Sequence, residues 1–270
     1  MIAGDTSGGT LGTPAPVRRT RSELRALLLQ AGIEVLREDG LGTGAEQLTF
    51  RRVFERVAAT SGIRVTNASV IGRVWANLAE YQSAVVAAVA SEEVTDQEDA
   101  VMAATAGHLA TFDRSTPGAR RAGVRELMRL AAEANLAVGT TSRPWATVIG
   151  IWALASGAHQ AGTAGPVYDA LRASYGALED RAVATTEALM AHVGLRSRPP
   201  LEVCQFARAL TALVEGSALR DRAAPGTGTV ELPTGPGGTL QVWTVLGIGM
   251  DALVDEFFEV DPDWVPEPGP

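Results

Sequence analysis

The side chains with the widest chemical repertoire are scarce in this sequence. His108, His159 and His192 lie 51 and 33 residues apart, so no two share a helical turn and no metal site forms locally between them. Cys204 is the single cysteine, which excludes an internal disulfide and a cysteine-rich metal cluster; within LEVCQFARAL it reads as a buried structural thiol. All 23 basic residues are arginine. Without lysine there is no Walker lysine, no Schiff-base lysine and no Ser-Lys pair. HExxH and GxSxG are absent, and GTGTVELPTGPGG is rich in glycine but lacks the flanking strand and the lysine of a phosphate loop. A non-enzymatic protein is expected, with no catalytic residue, no metal and no cofactor.

Chemistry of another kind is available in TNASVIGRVW, residues 66–75. A helix, a glycine-bearing turn and a second capped helix make the helix-turn-helix outline, whose second helix docks by its N-terminal residues in a major groove. That task needs short polar or basic side chains on the outer face, and Thr66, Asn67, Ser69 and Arg73 qualify. Asparagine pairs with adenine in a bidentate way and arginine with guanine. Arg18, Arg19 and Arg21 precede the first helix and suit a mobile arm reaching phosphates or a minor groove. Arg51 and Arg52 on the second helix, with Thr49 and Asn77 at the starts of the second and fourth, complete the candidate DNA-contact set. The charge is distributed accordingly. Residues 1–75 hold ten arginines and seven acids, a balance of +3, and the remainder holds 13 arginines and 24 acids, a balance of −11, which together give the net −8. A basic front end on an acidic body suits a small domain that meets phosphates while the body does other work.

The elements that must position these residues read as helices. TRSE is a capping box, with Thr20 as cap and Glu23 reaching back; Leu24, Leu27, Leu28, Ala31 and Val35 then mark one face, and Gly40 ends it. A second helix starts near Thr49, with Phe50, Val53, Phe54 and Val57 as its apolar stripe. In the third, Val70, Ile71, Val74 and Trp75 are expected to face inward together. Asn77 and Glu80 cap a fourth helix, whose face is Leu78, Tyr81, Val85 and Val89. Further helices begin near Pro117 and Pro144, run from about 166 to 193, where Gly194 ends the helix, follow Pro200, and close the fold after Leu240. The segment 223–239 reads as a mobile loop, and no period-two alternation long enough for a sheet is present. The expected fold is all-α: an N-terminal helix-turn-helix domain of three or four helices followed by a helical ligand-binding and dimerisation domain. The expected divisions are 1–19, a disordered basic arm; 20–90, the helix-turn-helix domain; 91–262, the second domain; and 263–270, a disordered tail.

LTFRRVFERVAATSGIRVTNASVIGRVWANLAEYQSAV resembles the DNA-binding domain of TetR-family transcriptional regulators in the order of its capped helices, glycine turn and closing aromatic. FARALTALVEGSALR and WTVLGIGMDALVDEFFEV are similar to that family's last two helices. The resemblance implies an all-helical homodimer whose N-terminal domains read a palindromic DNA operator and whose C-terminal domains dimerise and hold a small-molecule pocket. It implies a repressor released by a small-molecule effector. The sequence departs from the family at four points, one being GIRVT where a shorter Gly-Val-Ser is expected. The span from Thr49 to Gly62 is about a turn longer than the usual second helix. The phosphate-contacting tyrosine of the third helix falls on Ile71 or Gly72, and the lysine near the start of the fourth is Leu78. Two lost phosphate contacts weaken binding and flatten its salt dependence. The alternative is therefore a helical sensor or adaptor whose degenerate helix-turn-helix no longer binds DNA.

For the effector, Met128, Trp145, Trp152, His159, Tyr175 and Glu215 are the candidate pocket residues; Trp145 and Trp152 are seven apart and share a face, and His159 and Glu215 offer polar anchors in an apolar cavity. The dimer interface is expected on residues 201–220 and 240–258, where Ala207 and Gly216 permit close packing. No membrane span and no signal peptide are expected, and the protein reads as cytoplasmic.

Overall fold

The structure, a computed structural model, describes residues 19–39, 48–142, 145–150, 152–153, 165–226, 228–234 and 238–265. These residues are mostly helical, in the order α1 (Arg21–Asp39), α2 (Phe50–Ser61), α3 (Asn67–Val70), α4 (Leu78–Ala110), α5 (Pro117–Thr141), α6 (145–150), α7 (Pro166–Val193), α8 (Val203–Ala223) and α9 (Val245–Phe257). Local chemistry sets most of the starts. The amide of Thr20 donates to Glu23 (2.8 Å) while the amide of Glu23 donates back to the Thr20 hydroxyl (3.2 Å), the reciprocal capping box. Asn77 takes the Glu80 amide at 2.9 Å, and Thr116 takes that of Ala119 at 3.1 Å with Pro117 at the first helical position. The expected end at Gly40 and start at Pro144 lie outside the described residues. No helix among the described residues is long and apolar enough to cross a membrane.

Two apolar clusters organise the packing. The first collects Leu28, Ala31, Val35, Phe50, Val53, Val57, Val70, Trp75, Tyr81 and Val85 from α1 to α4, and it also takes Val148 of α6 and Leu171 of α7. The second is built from α5, α8 and α9 with the end of α7, around Leu127, Met128, Met190, Phe206, Leu246 and Val254. α4 serves both: Tyr81 to Ala90 belong to the first cluster, and Val101 and Leu109 pack against the second. Its 33 residues span about 50 Å without a break. A domain limit at residue 90 therefore falls inside a continuous helix, and the fourth helix is one of the longest elements.

Four short strands were not anticipated. β1 (Leu195–Ser197) pairs antiparallel with β4 (Phe258–Val260), and β2 (Thr229–Leu232) with β3 (Gln241–Thr244). β2 lies within the segment read as a loop, and β3 takes the first residues of the expected last helix. At three or four residues each, these strands are too short for alternation to register. α8 and α9 run antiparallel, with the Phe206 ring 5.7 Å from that of Phe257 and 4.9 Å from that of Phe258. Ala207 is fully buried within the chain, so it does not serve a surface interface, whereas Gly216 is exposed. Cys204 is exposed rather than buried, because it lies in the first turn of α8 on its solvent side.

The chain beyond residue 260 is not a free tail as far as Val265. Trp264 donates its indole N–H to the carbonyl of Ala191 (2.7 Å), and the guanidinium of buried Arg120 lies 4.8 Å from its ring centroid. Gly194 ends α7 with φ of +71°, and a Cβ there would fall 2.6 Å from Trp264 Cδ2. Only glycine meets both the left-handed conformation and this approach.

Candidate nucleic-acid interface and ligand site

α2 begins at Thr49, whose hydroxyl accepts the Arg52 amide at 3.5 Å, and ends at Gly62. After the link 63–66, α3 makes a single turn. The Ser69 hydroxyl donates to the carbonyl of Thr66 (2.7 Å) and accepts its amide (3.3 Å), so Ser69 is occupied in holding the start of the helix. The helix then stops. Ile71 is extended, Gly72 turns with φ of +74°, and the Gly72 amide donates to the carbonyl of Trp75 at 2.7 Å. The recognition helix expected over residues 66–75 is thus one helical turn followed by a tight loop, because Gly72 adopts a conformation that closes the 71–75 link. Val70, Val74 and Trp75 point inward as expected. Ile71 does not: it is 44% exposed. Trp75 meets Tyr81 edge to face at 4.8 Å, which ties the loop to α4.

The exposed residues are Thr66, Asn67, Arg73 and Asn77. Asn77 has its carboxamide oxygen engaged by the Glu80 amide. Arg19, Arg21, Arg51, Arg64 and Arg73 are exposed and form no ion pair among the described residues. In the body Arg121, Arg125, Arg129, Arg181, Arg196 and Arg208 have carboxylate partners, while Arg172 and Arg220 are exposed without an ion pair among the described residues. Arg52 is half-buried, and Arg56 is taken by Glu34 (3.9 Å) and Glu38. Arg18 lies outside the described residues. Two basic residues escaped the sequence reading. Arg64 lies in the turn, and Arg25 stands one helical turn from Arg21, with its guanidinium 5.7 Å from the Trp75 ring centroid.

Three of the six candidate pocket residues come together. Trp152 stacks on Tyr175 at 4.8 Å with rings 21° apart, and the Tyr175 hydroxyl donates to Glu215 Oε1 at 2.7 Å. Tyr168 joins them, its ring parallel to Trp152 within 4° at 5.7 Å. It lies two turns before Tyr175 on the same face of α7, a spacing the sequence displays. Burial pushes the Glu215 carboxyl up from the ordinary carboxylate range, partly offset by the Tyr175 hydrogen bond. Burial, and then the nearby carboxylate, push the Tyr175 hydroxyl up as well. Trp152 also packs against the first core, as does Val167, while Leu171 is fully buried in it. One segment of α7 thus carries the ring pair and two contacts to the α1–α4 unit. The other candidates are elsewhere. Met128 is buried in the second core, Trp145 lies beneath the guanidinium of Arg222 at 5.4 Å, and His159 is outside the described residues.

A groove of about 480 Å³ opens between α5, the β2–β3 hairpin and α9. Arg121 reaches Asp251 (2.7 Å) and Asp255 (2.6 Å), Arg125 reaches Asp251 (3.1 Å), and Arg125 also lies 5.4 Å from the Trp243 ring centroid. These charges pair with one another, although the buried Arg121 Nη1 takes no hydrogen-bond partner among the described residues. Of the histidines described, His108 bonds the carbonyl of Gly123 (2.7 Å) and His192 meets Arg114. Among the described residues no group of histidine, cysteine and carboxylate side chains could hold a metal ion. Compared with protein-family models and with curated protein sequences, the chain matches none.

Proposed function

We propose that this protein is a DNA-binding transcriptional regulator whose affinity for its operator is set by a small molecule. The observation that carries the reading is the set of exposed arginines without ion pairs, Arg19, Arg21, Arg51, Arg64 and Arg73, on and around a capped helix-turn-helix outline. Free guanidinium groups release counterions from a duplex at no cost in broken ion pairs. Arg73, Thr66 and Asn67 supply the base-reading chemistry. The working unit is a homodimer joined by the outer faces of α8 and α9, where Ala212, Gly216, Leu219, Val245 and Ala252 are exposed on antiparallel helices. Two such units place two readers on half-sites about one helical turn apart. The effector acts at Trp152, Tyr168, Tyr175 and Glu215. Movement of Trp152 is felt in the first core, and a ligand that prefers one arrangement lowers DNA affinity by its differential binding energy, typically about 1–3 kcal/mol. Release of a repressor from a palindromic operator is the simplest form of this scheme.

The one-turn α3 and the occupied Ser69 favour a second reading, a helical sensor or adaptor that no longer engages DNA. Selection from a random duplex library by the full-length protein, at one stated moderate salt, separates the two. Enrichment of a palindrome supports the dimeric regulator. No enrichment, with no salt-dependent retention of bulk duplex, refutes it in favour of the adaptor.

A further inference from the structure

The groove between α5, the β2–β3 hairpin and α9 has more hydrogen-bond donors unspent than acceptors. Its charges form a ladder across the two helices: Arg121 bridges Asp255 and Asp251, and Asp251 then meets Arg125. On the acidic side the acceptors are largely used. Asp251 gives one oxygen to each arginine, and Asp255 gives Oδ1 to Arg121. Glu126, on the same wall, gives Oε1 and Oε2 to Arg129 at 2.6 and 2.9 Å. On the basic side the donors are not used. Arg125 sets its Nε 3.1 Å from Asp251 Oδ2, and its two terminal amino groups donate to nothing among the described residues. The side chain lines the groove and is 44% exposed. Its guanidinium also lies 5.4 Å from the centroid of the buried Trp243 ring. The ring below and Asp251 beside it hold the fork in place before any guest arrives.

We propose that this groove binds a small monocarboxylate with an apolar body, its carboxylate received by the two terminal amino groups of Arg125. A planar guanidinium fork and a carboxylate match each other in a two-point contact. A second negative charge on the guest finds no counterpart, because the remaining amino group of Arg121 is buried. It would also meet Asp255 and Glu126. The hydrogen bonds from Arg121 and Arg129 hold these two carboxyls below the ordinary carboxylate range, so they stay charged. A cationic guest finds the oxygens of Asp251 and Glu126 already taken. Gly118 and Ala122 leave one side of the groove without bulk or charge, and its volume of about 480 Å³ admits a body of two fused rings. The groove shares no residue with Trp152, Tyr175 and Glu215. It is therefore a second small-molecule site, independent of whether the protein binds DNA.

The test is isothermal calorimetry on the full-length protein without DNA, at fixed salt and pH 8, with three bicyclic probes of matched shape. These are 2-naphthoate, the neutral 2-naphthamide and the dianion 2-naphthyl phosphate. The expected result is a preference of about tenfold or more for naphthoate over each of the others. Arg125→Gln should bring naphthoate down to the level of the amide. Arg125→Lys keeps a charge beside Asp251 but not the fork, and should lose about threefold or more. Trp152→Leu should leave all three titrations unchanged. No heat from naphthoate at millimolar concentration, equal binding of the amide, or full affinity in either Arg125 variant overturns the proposal. Loss of naphthoate binding in Trp152→Leu but not in Arg125→Gln would place the carboxylate elsewhere and refute the groove. Tighter naphthyl phosphate that Arg125→Gln removes would keep an anion site and refute the monocarboxylate. Naphthoate binding by a protein that selects no duplex would refute the regulator and leave this site standing, and a protein that selects a palindrome but ignores naphthoate would do the reverse.

Discussion

Where α1 crosses α4, Gly32 faces Tyr81. A Cβ at residue 32 would overlap the Tyr81 hydroxyl, fall 2.7 Å from Val85 Cγ2 and 3.2 Å from Tyr81 Cζ. Tyr81 and Val85 are both 0% exposed, so neither can move aside into solvent. Gly32→Ala gains about 1 kcal/mol of helix propensity. Against this, overpacking a filled core costs about 1–3 kcal/mol. Displacing the ring also breaks the 2.7 Å bond from the Tyr81 hydroxyl to the carbonyl of Leu28 and strands a buried hydroxyl, about 1–3 kcal/mol more. The expected net loss is about 3 kcal/mol. Tyr81→Phe alone loses one hydrogen bond, about 1 kcal/mol. In that background the overlapping atom is gone, and Gly32→Ala is expected to cost only about 1 kcal/mol, from its remaining contact with Val85. The cycle therefore predicts a coupling of about 2 kcal/mol between residues 32 and 81. Urea denaturation of the parent, both single variants and the double, followed by circular dichroism at one protein concentration, measures it. Costs that add to within about 0.5 kcal/mol, or a stabilising Gly32→Ala, would show that the crossing is not packed as described.

The other expectations concern the proposed interface, the effector site and the tail. Arg51→Ala and Arg73→Ala should each lower the slope of log affinity against log salt by about 1, and Arg73→Ala should also weaken the selected operator roughly tenfold; unchanged titrations would remove these residues from the interface. Gly194→Ala should cost about 3 kcal/mol in thermal unfolding, since it combines a left-handed conformation with overlap against Trp264 and Arg120; a loss under about 1 kcal/mol would mean that the tail is not docked. The folded-state pKa of Glu215 lies above the unfolded value of 4.5, so the protein loses stability from this group as pH rises from 4.5 through the raised value. Glu215→Gln should erase that part of the pH profile, and parallel profiles for parent and variant would contradict the burial. Leu219→Arg should convert a dimer to a monomer in sedimentation velocity without loss of helicity; an unchanged sedimentation coefficient would place the interface elsewhere.

Helix starts were readable because caps are local. Thr20 with Glu23, Thr49, Asn77 and Pro117 each announce a helix within four residues, and Gly194 announces an end. Features that depend on distant partners were not. Ile71 was assigned inward by counting along a helix, but the count fails at Gly72, and a single glycine does not reveal which conformation it will take. The hairpin 229–244 looks like a loop by composition, and its strands owe their placement to Trp243, which is buried and bonds Thr234 at 2.7 Å. Trp264 sits among prolines and acids, and nothing adjacent in sequence shows that Arg120 waits for it. At the candidate effector site, residue types and helical spacing singled out Trp152, Tyr175 and Glu215. Met128 and Trp145 have equally suitable side chains but face other neighbours, a choice made by the packing of α5 and α6 rather than by residue type.

The first core has an implication for synthesis. It is assembled from residues as early as Leu28 and as late as Leu171. A chain emerging from the ribosome completes α1 to α3 long before α7 exists, and at about 5–20 residues per second the interval from Ala90 to Leu171 lasts about 4–16 s. Throughout it the apolar faces of the early helices lack their last covering side chains. The packing of α1 to α4 is therefore completed only once the segment bearing Val167 and Leu171 has been made, so the N-terminal helices and α7 mature as one object.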